Sequence, residues 1–99
     1  MTDETKEIIL AGATFVLHKI PPFQGRAIMI LYAPGEDGIV KAGASQEGLL
    51  KMMNYVSVKT GEGKNEIALS TEALINNHLP DTQTLLKLEA EMLDFNFSS

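Results

Sequence analysis

Four prolines, at positions 21, 22, 34 and 80, decide where the elements of this chain can run. Proline has a fixed φ and no backbone N–H. It is excluded from helix interiors and central strands but suits the first turn of a helix. Pro21-Pro22 therefore ends one element and opens the next. Before it, "EIILAGATFVLHKI" reads as two short strands around Ala11-Gly12-Ala13. Ile8, Ile9 and Leu10 form one. Thr14 to Ile20 form the other, rich in β-branched and aromatic types. In the second strand Phe15, Leu17 and Lys19 point one way and Val16, His18 and Ile20 the other. Gly12 supplies the positive φ of a tight turn. After the prolines, "FQGRAIMILYA" fits a helix opened by Pro22 and closed by Pro34. It is apolar nearly all round beyond Arg26, so it must be covered on most sides by its own core or by a partner.

Between Pro34 and Pro80 the chain first turns through the glycine-rich loop "PGEDGIVKAGAS". Ser45 reads as an N-cap, with Gln46 and Glu47 in the first turn, and Leu49, Leu50, Met53 and Val56 make an apolar stripe. "YVSVKTGEGKNEIALS" reads as a second hairpin: Val56 and Val58 face one side, "GEGK" turns, and Ile67 and Leu69 return. Ser70 is expected to cap the next helix, with Leu69 and Leu74 at the spacing of a hydrophobic staple. Leu74, Ile75, His78 and Leu79 share its inner face. Pro80 makes a corner, and Asp81 caps a last helix whose seam is Leu85, Leu88, Met92 and Phe95, widened by Leu86 and Leu93. The expected class is α+β: two short β-hairpins with about four helices in one small domain. Residues 1–6 are expected to be a flexible tail and 7–99 the domain, since 99 residues support one modest core.

The chemistry that the composition permits is narrow. There is no cysteine, so disulfides, thiolate nucleophiles and cysteine-bound zinc are excluded and a reducing compartment is permitted. Residues 1–60 carry six acids and six bases, whereas residues 61–99 carry seven acids and two lysines. The whole net charge of −5 thus falls in the last two-fifths, where a nucleic-acid backbone would need a basic face. A basic protein partner or a solvated face that aids solubility fits better. No apolar run approaches the roughly 18 residues of a membrane span, and the acidic start "MTDETKE" is not expected to be a signal peptide. The two histidines, His18 and His78, share no ligand spacing, so no metal is expected. No serine lies in a Gly-x-Ser-x-Gly elbow. Glu89, Glu91 and Asp94 are expected on the solvated side of the last helix, where nothing raises a carboxyl into the range of a general acid. No catalytic residue and no cofactor is expected.

Apolar surface is the more informative signal. Five methionines, two of them adjacent at Met52-Met53, suit adaptable packing. A domain this small has limited room to cover the first helix on all sides, so its apolar surface is either in part an interface or covered by the hairpins and the other helices. The order of the motifs adds to this. "EIILAGATFVLHKIPPFQGRAIMILY", through Gly12, Phe15, Leu17, Lys19, Ile20 and Pro21, is similar to the start of many small tail assembly chaperones of tailed bacteriophages. "ALSTEALINNHLPDTQTLLKLEAEMLDFNFSS" resembles a later segment of such proteins, and together the two cover about two-thirds of the chain. The resemblance implies a non-enzymatic protein of the host bacterial cytoplasm. It would bind and shield the tape-measure protein and help recruit tail-tube subunits, with self-association possible. The family has no catalytic residues. A virion structural component, such as a minor tail or connector protein, and a phage-encoded inhibitor of a host protein are the other readings. The expected protein-binding residues are Met29 and Tyr32 in the first helix and Leu85, Leu88, Met92, Phe95 and Phe97 in the last. The far end, Met92, Phe95 and Phe97, has the least chain left to cover it.

Overall fold

A computed structural model describes residues 4–97. The first strands, β1 (Thr5–Leu10) and β2 (Ala13–His18), pair antiparallel through a two-residue turn. Ala11 and Gly12 in that turn both have positive φ, +50° and +80°. This is the turn whose twist matches that of the strands it joins. Of the tail expected over 1–6, residues 1–3 lie outside the described residues, while Thr5 and Lys6 belong to β1. Pro22 opens α1 (Pro22–Leu31), as its fixed φ favours. After the 34–45 loop come α2 (Gln46–Met52), a 3-10 turn over Met53–Tyr55, and the second hairpin, β3 (Val56–Thr60) and β4 (Asn65–Ala68). Then α3 (Glu72–His78) and α4 (Thr82–Phe97) meet at the Pro80 corner.

The two hairpins join into one antiparallel sheet in the order β1-β2-β3-β4. The join is short: Phe15 faces Val58, Val16 faces Ser57 and Leu17 faces Val56. Phe15, Leu17, Val56 and Val58 therefore share a face, and all four are buried in one core with Met52, Met53, Leu69, Leu88 and Met92. The opposite face has no such cover. Ile9 is 73% exposed there, and Glu7 and Glu66 are exposed. Val16 points to that face and is still buried. The Lys59 ammonium lies 3.0 Å from a Glu7 carboxylate oxygen, and this pair, reaching from β3 to β1, spans β2 above Val16. The fold is α+β, with two hairpins and four helices among the described residues.

Local signals place most helix starts. The Ser45 hydroxyl oxygen accepts the Gly48 N–H at 2.9 Å. Asp81 accepts the Thr84 N–H at 2.8 Å and the Thr84 hydroxyl at the same distance. For α3 the expected cap is off by one residue. Thr71, not Ser70, accepts the Leu74 N–H, at 3.2 Å. The ladder explains the shift: Leu69 N–H still donates to Val56 C=O, so the strand holds the chain extended until Ser70.

Candidate functional site

The first site the packing draws attention to is a buried carboxylate. On α4 the buried residues are Leu88, Glu89, Met92 and Leu93. The inner stripe is thus rotated from the expected Leu85–Leu88–Met92–Phe95 seam towards Glu89 and Leu93, and Glu89, expected in solvent, is only 1% exposed. Its two oxygens are both used. One accepts the Tyr32 hydroxyl at 2.6 Å from the end of α1, and the other accepts the Gly43 N–H at 2.9 Å from the 34–45 loop. Burial, then the hydrogen bond to Glu89 and its charge, push the Tyr32 phenol far above its ordinary range. A buried carboxylate with its oxygens hydrogen-bonded holds structure together. Here it ties α1, α4 and the loop. Gly48 completes the join, because a Cβ there would stand 2.6 Å from the Tyr32 ring.

The end of α4 is held equally firmly. The Asn96 side chain accepts the Ile20 N–H at 2.8 Å and donates to the His18 carbonyl at 3.3 Å. The Lys19 ammonium donates to the Phe95 carbonyl and lies 4.0 Å from the centre of the Phe95 ring. It supplies the positive charge that a helix C-terminus favours. Phe97 packs towards Gly25 of α1, 3.6 Å from where a Cβ would be.

Burial divides the expected protein-binding residues. Tyr32, Leu88 and Met92 are in the core, 3% exposed or less. A partner that docks on the folded domain cannot reach them. Met29, Leu85, Phe95 and Phe97 are half-buried, with Leu85, Phe95 and Phe97 packed against that core. The apolar surface that stands free lies elsewhere. On α1, Phe23 is 79% and Ile30 59% exposed, with Ala27 exposed between them. Positions 23, 27 and 30 recur at helical spacing, so the three form one stripe. Beside it, a cavity of about 310 Å³ opens between α1 and α2, lined by Gln24, Ala27, Ile28, Lys51, Asn54 and Tyr55. The residues that carry this stripe sit in the helix whose sequence is apolar nearly all round beyond Arg26. Sequence alone does not settle which side of α1 the core takes. Gly25, Ile28 and Tyr32 take it, which leaves Phe23 and Ile30 outside.

The polar candidates stay apart. His78 is half-buried at the end of α3, and His18 Nε2 is 3.9 Å from a Glu66 oxygen on the open face of the sheet. Among the described residues no group of three His, Cys, Asp or Glu side chains is placed to hold a metal ion. No helix there is long and apolar enough to cross a membrane. Comparison with protein-family models, with curated proteins and with solved structures finds no match to this chain.

Proposed function

We propose that this chain is a non-enzymatic binding protein that covers an apolar helical segment of a client. In the reading its resemblance favours, it is a phage tail assembly chaperone whose client is the tape-measure protein, acting in the host bacterial cytoplasm and helping to bring in tail-tube subunits. The observation that carries the proposal is the Phe23–Ala27–Ile30 stripe on α1, with Phe23 79% exposed. Large apolar side chains in helical register on a folded surface are the anchors of helix-in-groove recognition. They also carry the general mark of an interaction site, an apolar patch left uncovered. The adjoining cavity between α1 and α2 gives a client side chain somewhere to seat. The acidic last two-fifths would keep the loaded complex apart from its neighbours.

The test is a pull-down from infected cells with the wild-type chain and with a Phe23→Ser, Ile30→Ser double variant. Both positions are exposed, so the variant is expected to melt as the wild type does. Recovery of the tape-measure protein by the wild type and its loss with the variant is the expected result. Equal recovery by both would remove α1 as the binding face. Mass spectrometry of purified particles checks the assembly role: a chaperone is expected to be absent from them, and its presence would make the chain a virion component.

A further inference from the structure

A second concavity lies away from the α1 stripe. Between the 34–45 loop and the outer side of α4 there is a cavity of about 340 Å³, a size that accepts one side chain or small ligand. Its floor is apolar: Leu93 is buried, Val40 and Phe97 are half-buried, and Ala90 adds a small residue that leaves the wall low. Asp37 from the loop and Asp94 from α4 line it as well, and among the described residues no cationic side chain does.

Asp94 stands where a carboxylate is least favoured. It lies near the C-terminal end of α4, whose last turn contains no basic residue of its own and is met by Lys19 at the Phe95 carbonyl. The dipole of a helix disfavours negative charge at that end. Asp94 is exposed and takes part in none of the ion pairs among the described residues. Asp37 uses one oxygen, Oδ1, to accept the Ile39 N–H at 2.9 Å, and its second oxygen is not used by the loop.

We propose that this cavity receives an arginine side chain, flanked by apolar residues, from a partner protein. The methylene stem would run over Val40 and Leu93. The planar guanidinium would stack on the Phe97 ring and pair with the Asp37 and Asp94 carboxylates. Arginine suits this combination because it is always charged, flat and able to donate in several directions. A phosphate or a nucleic-acid backbone would be repelled by the same lining. A purely apolar side chain would make no use of the two carboxylates. The proposal stands on a different surface from the α1 stripe and does not depend on it.

The test is titration of the isotope-labelled full chain, followed by amide chemical shifts, at low ionic strength. The probe is the blocked pentapeptide Ala-Leu-Arg-Leu-Ala, and its control has citrulline in place of arginine, with the same shape but no charge. Saturable shifts are expected at Val40, Ala90, Leu93 and Phe97 with the arginine peptide. Binding about ten-fold weaker is expected with citrulline and with an Asp37→Asn, Asp94→Asn double variant, the scale of one lost charge-assisted hydrogen bond. Asn at 37 keeps the acceptor for the Ile39 N–H, and Asn at 94 removes a charge that the helix dipole disfavours. The melt should therefore match that of the wild type. If it does not, the single Asp94→Asn variant carries the comparison, with weakened binding expected. Equal binding of both peptides would overturn the proposal. So would arginine-dependent shifts spread over the acids at 62, 66 and 72 and unchanged in the variant.

Discussion

Ala11 holds a φ of +50°, where the Cβ of an L-residue crowds the backbone. The left-handed region costs such a residue about 1–2 kcal/mol, and asparagine bears it best at the first position of this turn. Ala11→Asn should therefore stabilise the chain by about 1 kcal/mol in a urea melt. Asp81 titrates at the other end of the scale. The Thr84 N–H, then the Thr84 hydroxyl, hold its carboxyl below the usual range. A lowered folded pKa gives stability above the unfolded value that is lost as pH falls through the folded one. Asp81→Ala should lower the urea midpoint at neutral pH, and its difference from wild type should shrink in acid. Asp81→Asn should cap nearly as well and lack that pH dependence. Tyr32 works in the opposite direction. Its phenol is raised above 10.0, so its stabilising effect is complete below that value and declines as pH rises past it, where the unfolded chain ionises first. Tyr32→Phe strips one partner from buried Glu89 and should cost about 1–3 kcal/mol near neutral pH. The variant should then lose less stability than the wild type above about pH 10.

Turn and cap chemistry made the elements legible, because each rests on residues adjacent in sequence. Ala11-Gly12, Pro22, Ser45, the 61–64 turn and Asp81 all stand where the sequence predicts them. The features that sequence leaves open need partners far along the chain. Thr71 displaces Ser70 as a cap because the ladder reaches Leu69. The inner stripe of α4 turns towards Glu89 because Tyr32 and Gly43 supply the donors that a buried carboxylate requires. No pattern in α4 alone announces those donors, so periodicity by itself leaves Glu89 on the solvated side. The contact between α1 and α2 shows the same dependence on distant neighbours. Gly48→Ala would drive a Cβ into the Tyr32 ring, and it should cost about 1–3 kcal/mol in a thermal or urea melt even though alanine is the better helix former. Met92→Ser, at a fully buried position, is expected to destabilise the whole domain rather than weaken an interface.

Across the whole molecule, stability centres on the place where the hairpins join. Phe15 is fully buried opposite Val58, and Phe15→Ala should cost about 3–5 kcal/mol, measured by urea denaturation. That join has a topological consequence. β2 and β3 are neighbours in the sheet, yet residues 19–55 separate them in the chain, and the exposed stretch around Gly35–Gly38 lies about midway. One half carries the first hairpin and α1, the other the second hairpin with α2, α3 and α4. The cut separates Phe15 and Leu17 from Val58 and Val56 and the Tyr32 hydroxyl from Glu89, so neither half should fold alone. Cut between Asp37 and Gly38, the chain becomes a two-fragment system whose assembly is bimolecular. Mixed fragments should regain the sheet with an apparent melting point that climbs with concentration, since the covalent loop no longer supplies the local concentration of one half for the other.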